Sequence, residues 1–344
     1  MNIFHKEWNS NRIMNLTNLY KVSELMFVSI KIDLFSKLHE PKTSSELSKE
    51  LTFDNDFLEI ILKALVAINL LQIDKNNRYH VTPSAFPYLN KESKNSINSL
   101  IELERTMRNK RNLNEVILDL LTGESPKRID FPEKNIYTNA MSSGTYYPAL
   151  KMGRVLLKYF DKNRPINFLD LGCGPGDYAL TFKKLFSNLV GTLIDREEII
   201  NITRQRLMEK NVLNDFKLIH NDFMSDPISG KYELVLLSNI CHFYSLEEIS
   251  HLLNKIPFNP KEESFVIIHD FFLDEELNEE TFLPIFASLD WMGNHSNRFN
   301  YTLNEIGSWL ESLGWMVVEQ EAIKGLPTSY ILIKKEKKGE GEIE

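Results

Sequence analysis

A glycine-rich loop, three carboxylates beyond it and two histidines are the positions in this 344-residue chain where chemistry could occur. Asp170-Leu171-Gly172-Cys173-Gly174-Pro175-Gly176 sets three glycines between a strand-like apolar run and a segment with helical spacing. Glycine permits positive φ and lets a ligand touch the main chain. Asp195 ends the next strand-like run, 19 residues past Gly176, where a carboxylate can accept hydrogen bonds from both hydroxyls of a ribose. Asp222-Phe223 follows the third run and puts a carboxylate beside an aromatic ring, suited to an adenine amino group. His242 lies just beyond the fourth run, and Asp270 ends the fifth. An imidazole that titrates near neutrality can take a hydroxyl proton, and a carboxylate beside it can orient the ring and stabilise its cation.

The loop departs from the dinucleotide fingerprint. That fingerprint is G-x-G-x-x-G, with a pyrophosphate on the helix N-terminus. Here the third glycine comes one residue early, and Asp170 and Asp177 flank the loop. Two carboxylates repel a pyrophosphate and welcome the sulfonium and ammonium groups of S-adenosylmethionine, which is the expected cofactor. His295 opens an alternative: with His242 and Asp270 it could form a two-histidine, one-carboxylate metal site. The two histidines are 53 residues apart, so only the fold could join them. Residues 282–291, ending in Trp291, together with Met292, Met141, Tyr146 and Tyr147, are rich in aromatic rings and sulfur. Such side chains suit a flat apolar acceptor.

These positions require a scaffold, and residues 151–335 read as an α/β one. Strand-like runs at 166–171, 190–195, 217–220, 234–238, 264–269, 316–321 and 330–334 alternate with helix-like stretches at 178–186, 196–210, 246–255 and 303–313. The alternation predicts a Rossmann-like parallel sheet wrapped on both faces, with its last two strands an antiparallel pair at one edge. Ligands in such sheets sit beyond the carboxyl ends of the strands.

Residues 1–121 read as mainly helical. Helices are expected at 23–38, at 45–51 behind a Thr43 or Ser44 cap, and at 55–71, with a hairpin at 71–81. This is a winged-helix pattern. The helix that would enter a DNA groove carries Asp54, Asp56 and Glu59 against Lys63, the wrong sign for replacing counterions. A subunit interface suits it better, and a homodimer is expected because helices this apolar need a covering partner. Residues 122–150 read as a linker and connecting helix, and the charged, Gly-containing residues 336–344 as a disordered tail.

Composition narrows the partners further. With 42% hydrophobic and 26% charged residues the chain is that of a globular protein. No apolar run reaches the ~18 residues of a membrane span, and the N-terminus lacks a secretory h-region. Two cysteines, Cys173 and Cys241, make no disulfide framework, so a reducing, cytoplasmic setting is expected. A net charge of −8 argues against nucleic acid and suits small molecules, cationic ones included.

With these motifs in place, the sequence resembles the two-domain small-molecule O-methyltransferases. These are plant phenolic and bacterial natural-product enzymes with an N-terminal winged-helix dimerisation domain and a C-terminal S-adenosylmethionine domain. The resemblance runs from about residue 25 to 334 and is most specific at 169–176, 221–223, 236–248 and 267–274. It implies that Asp170, Gly172, Gly174 and Gly176 hold the methionine part of the cofactor and Asp195 its ribose. Asp222 and Phe223 would hold the adenine, with Ser238 also on the cofactor and His242 as general base. Met141 would lie near methyl transfer, and Tyr146, Trp291, Met292, His295 and Asn300 along the acceptor. Two departures stand out: plant members follow the histidine with an acid where this chain has Phe243, and a second supporting acid falls near Asn300. The activity implied is methylation of a hydroxyl on a small aromatic acceptor. The alternatives are metal-assisted C-methylation of an α-keto acid and a non-catalytic cofactor-binding regulator.

Overall fold

The computed structural model describes residues 7–110, 112–124, 133–273, 284–286 and 301–335. The described parts of 1–110 and 132–144 form one compact unit, and those of 111–131 and 145–344 another. The first unit runs α1 (Ser10–Thr17), α2 (Leu19–Lys31), α3 (Leu34–Lys37), α4 (Ser44–Leu51), α5 (Asn55–Ala67), β1 (Leu71–Ile73), β2 (Tyr79–Val81), α6 (Phe86–Leu89) and α7 (Asn98–Lys110). Helix α8 (Leu113–Thr122) belongs to the second unit, and α9 (Lys134–Leu156) passes from the first into the second.

Three local features shape the first unit. The helix expected at 23–38 is broken, because Asp33 adopts a left-handed φ of 55° between α2 and α3. The break re-aims the stripe so that Leu34, Phe35 and Leu38 all enter the core. Thr43 caps α4 in a capping box with Glu46. Helix α5 stops at Ala67 rather than at residue 71, since Asn69 turns with φ 63°, a conformation asparagine tolerates better than most residues. Leu58, Leu62 and Leu65 of α5 are buried, whereas Phe57 and Ile60 stay exposed. Strands β1 and β2 pair antiparallel, forming the expected hairpin.

The second unit continues with β3 (Ile166–Leu171), α10 (Asp177–Leu185), β4 (Leu189–Asp195), α11 (Glu197–Glu209), β5 (Phe216–His220), β6 (Leu234–Ser238), α12 (Leu246–Lys255), β7 (Ser264–Asp270), α13 (Leu303–Ser312), β8 (Met316–Ala322) and β9 (Ser329–Lys335). The sheet order is β5-β4-β3-β6-β7-β9-β8. Strands β3 to β7 are parallel, β9 runs antiparallel to β7, and β8 pairs antiparallel with β9 at the edge. Successive side chains divide between two cores: Ile166 and Phe168 face one, Leu169 and Leu171 the other. A sheet buried on both faces explains the nearly unbroken apolar run of β6. The winding outward from β3 to β5 restarts at β6, so the crevice at the carboxyl ends of β3 and β6 is the switch point where ligands bind. Among the described residues no helix is long and apolar enough to cross a membrane.

Candidate active site

The glycine loop leaves β3 at that switch point. Gly172 has φ 71°, and a Cβ there would lie 2.3 Å from Ile240 Cδ1 and 3.8 Å from Phe223 Cε1. Only glycine lets residues 172, 223 and 240 meet so closely. The loop is tied down on its outer side: Gly172 N–H donates to Ile194 O (2.8 Å), Gly174 N–H to Asp195 Oδ2 (2.8 Å), and Thr203 Oγ1 to Gly174 O (2.7 Å). Arg206 of α11 reaches Asp177 with both guanidinium nitrogens, at 2.6 and 2.7 Å. That pairing corrects the reading of Asp177 as a flanking negative charge, because Arg206 neutralises it. The charge of the loop therefore rests on Asp170.

Asp170 is buried, and its Oδ2 meets no hydrogen-bond partner among the described residues. Burial pushes its carboxyl well above the usual carboxylate range, and the charge of Asp195 adds to the rise. A buried acceptor without a donor is costly, and an arriving cation removes that cost. The residues present fit S-adenosylmethionine, whose methionine end carries an ammonium and a sulfonium.

Asp195 and the Asp222 loop come together beside the glycine turn. Asp195 accepts from Gly174 and Arg196 N–H, while burial still raises its carboxyl. Its carbonyl accepts from Asn221 N–H at 3.2 Å, joining the end of β4 to the loop after β5. Asp222 Oδ1 accepts from Met224 N–H (2.9 Å) and Oδ2 from the Ser225 hydroxyl (3.0 Å). A carboxylate has about four acceptor sites, so two such bonds leave room for an amino group. The Phe223 ring stands edge-on to Tyr244, with centroids 6.4 Å apart.

His242 sits in the 3-10 turn Cys241–Phe243 that follows β6. Its Nδ1 lies 2.6 Å from Asp270 Oδ1, and its N–H donates to Asp270 Oδ2 at 3.2 Å. Phe271 N–H donates to the same carboxylate at 2.8 Å. Burial alone would raise the Asp270 carboxyl, but attraction to His242 and these hydrogen bonds outweigh it and hold the carboxyl below its usual range. Asp270 thus stays ionised and fixes the imidazole as the Nδ1–H tautomer, whose Nε2 carries the lone pair. Phe243 lies 4.0 Å from the imidazole, ring centre to ring centre, and Phe271 6.0 Å away edge-on. Phe243 and Phe271 thus give the dyad an apolar wall.

A buried polar network lies beside the dyad that residue patterns did not reveal. Ser238 Oγ donates to Tyr178 OH at 2.9 Å, and His269 Nδ1 is 2.9 Å from Ser238 Oγ and 3.0 Å from Tyr178 OH. His269 Nε2 lies 2.9 Å from Thr328 Oγ1. The Ser238 hydroxyl, expected on the cofactor, is engaged in this network and is 9% exposed. Burial lowers the His269 pKa from 6.5 to about 4. As pH falls through 6.5 the unfolded chain takes up a proton that folded His269 refuses, so stability drops until the pH nears 4. The contribution lost between pH 7.5 and 5 is about 2 kcal/mol. Urea unfolding at the two pH values should show a shallower pH dependence in His269→Gln than in the wild type.

The remaining candidates lie elsewhere. Met141 is on the part of α9 that folds with the first unit, whereas Tyr146 is on the part within the second, 41% exposed. Trp291, Met292, His295 and Asn300 lie outside the described residues. Among the described residues no group of three or more His, Cys, Asp or Glu could hold a metal ion.

Known proteins match this arrangement along the chain. The profile of the O-methyltransferase dimerisation domain matches residues 14–91, and that of the O-methyltransferase domain matches residues 127–292. The tetracenomycin polyketide synthesis 8-O-methyl transferase of Streptomyces glaucescens is 22% identical over 324 residues, covering 92% of this chain and 94% of that protein. Acetylserotonin O-methyltransferase of Macaca mulatta is 24% identical over 289 residues, covering 77% of this chain and 81% of its own. The crystal structure of human N-acetylserotonin methyltransferase with S-adenosylmethionine superposes with a TM-score of 0.73 at 19% identity, covering 96% of this chain and 99% of that one. The superposition speaks for the fold, and the two profile matches for the family. The chain belongs to the two-domain S-adenosylmethionine-dependent O-methyltransferases.

Proposed function

We propose that this enzyme methylates a hydroxyl of a small aromatic molecule, with His242 as the general base. The observation that carries the reading is the 2.6 Å contact between His242 Nδ1 and Asp270 Oδ1, at the carboxyl ends of β6 and β7. The glycine loop opens on the same edge of the sheet. S-adenosylmethionine, when bound, supplies a methyl group made electrophilic by its sulfonium. Asp170 draws the positive end of the cofactor into the crevice, and the main chain at Gly172, Gly174 and Gly176 lets it lie close. Asp195 accepts hydrogen bonds from the ribose hydroxyls, Asp222 accepts one from the adenine amino group, and Phe223 packs beside the ring. His242 Nε2 takes the proton of the acceptor hydroxyl as its oxygen becomes methylated, while Asp270 holds the ring and balances the imidazolium charge. The acceptors in the relatives' names, acetylserotonin and a tetracenomycin polyketide, support an aromatic hydroxyl. The Phe243 and Phe271 rings beside His242 suit such an acceptor.

The test is a labelled-methyl screen across phenols, hydroxy acids and keto acids, with and without a chelator. A methyl ether formed from a phenol, unaffected by chelation, is expected. A new carbon–methyl bond on a keto acid, lost on chelation, would replace this reading with the metal-assisted one. The enzyme is also proposed to be a homodimer through its first unit, supported by the dimerisation-domain match and by Phe57 and Ile60, 72% and 63% exposed on α5. Light scattering should give twice the chain mass, and a monomer at micromolar concentration would refute the dimer.

A further inference from the structure

Lys255 closes α12 and sends a half-buried side chain across to the loop after β5. Its Nζ donates to Phe223 O at 2.9 Å and to Met224 O at 3.0 Å. A lysine head is normally left in water on the end of a flexible stem. Ordering that stem against two carbonyls costs side-chain entropy, so a specific loop placement is the physical result to explain. The loop closes on itself by short-range bonds: Met224 N–H and the Ser225 hydroxyl to Asp222, and Asp222 N–H to Asp226 Oδ2 at 3.0 Å. Such bonds set its shape but not its place. Its place is set by packing of Phe223 and Met224 on the core and by long-range ties, Asn221 N–H to Asp195 O and Lys255 to Phe223 and Met224.

Helix α12 connects two functional positions. Its N-cap is Ser245, three residues past His242, in a capping box with Glu248. Its last residue is Lys255. The helix therefore starts from the turn that carries the dyad and ends by gripping the loop that carries Asp222 and Phe223.

We infer that Lys255 is a positioning residue for the cofactor, holding the Asp222–Phe223 loop where the adenine amino group meets the Asp222 carboxylate. The inference rests on the reading that this loop takes adenine, and the experiment separates the two. Calorimetry on the full chain would compare S-adenosylhomocysteine with S-inosylhomocysteine, in which an oxygen replaces the adenine amino group. Lys255→Met is expected to weaken the adenosyl ligand by about tenfold or more, the loss of roughly one charge-assisted contact, and to leave the inosyl ligand nearly unchanged. Lys255→Arg keeps the donors and should recover most of the loss. Equal weakening of both ligands in Lys255→Met would overturn the inference, because it would mark a general structural role. Wild-type affinity in Lys255→Met together with weak binding in Asp222→Ala would also overturn it, while leaving adenine on the loop. Normal affinity in both variants would overturn the adenine reading itself.

Discussion

Replacing His242 by alanine is expected to cut methyl transfer by about 10²–10⁴-fold, the range of a lost general base, while cofactor affinity stays within about twofold. The split follows from geometry. The imidazole contacts Asp270 and the Phe243 and Phe271 rings, whereas the residues proposed above to hold the cofactor stand at the end of β3 and in the loop after it, at the end of β4 and in the loop after β5. Asp270→Asn should share much of the loss without removing the ring. An asparagine amide can present its N–H₂ to Nδ1 and favour the opposite tautomer, which would put a proton on Nε2 where the lone pair is needed. Raising the pH would recover little in His242→Ala if the acceptor is an aliphatic alcohol. It would recover a good part for a phenol, which ionises by itself near pH 10, as a tyrosine side chain does. Single-turnover rates against pH, with calorimetry for the cofactor, check each part. Near-normal turnover in His242→Ala at neutral pH would remove it as base.

Asp170→Ala is expected to lower affinity for S-adenosylmethionine by roughly ten- to a hundredfold, since a hydrogen bond to a charged group contributes about 1.5–3 kcal/mol. The same change should not lower the stability of the cofactor-free protein by the amount usual for a core truncation. Asp170 is buried with an oxygen that no described residue satisfies, and burial raises its carboxyl. Removing it takes away an unfavourable group along with its packing. The wild-type affinity should fall as pH is lowered toward that raised carboxyl pKa, because a protonated Asp170 no longer attracts a cation. Asp170→Ala should lose that pH dependence. Calorimetric titrations across pH and thermal melts without ligand measure both signs. A variant that binds the cofactor normally would place the positive end of the ligand elsewhere.

Much of the scaffold could be read from residue order because its signals are local. Strands β3 and β6 have the same limits in the fold, Ile166–Leu171 and Leu234–Ser238, since burial on both faces keeps such strands mostly apolar. The threonine cap at Thr43 marked the start of α4. His242 and Asp270 could be singled out because one stands just past a strand end and the other closes the next strand, where the sheet gathers ligand contacts. Pairings between distant residues were hidden. Asp177 and Arg206 are 29 residues apart and Tyr178 and His269 are 91 apart, and only the assembled sheet makes them neighbours. Ser238 shows the same limit: its hydrogen bonds to Tyr178 and His269, 60 and 31 residues away, have no local signal in the residue order. The break at Asp33 was hidden for a different reason, because the apolar spacing of residues 23–38 is compatible with one helix until the core demands a new direction.

A crystal structure of the chain with S-adenosylhomocysteine would test the site most directly. The ammonium should lie within hydrogen-bond reach of Asp170, directly or through one water, with the ribose on Asp195 and the thioether sulfur open toward His242 Nε2. A ligand whose homocysteine end points away from Asp170, or whose sulfur is screened from His242 by protein, would contradict it.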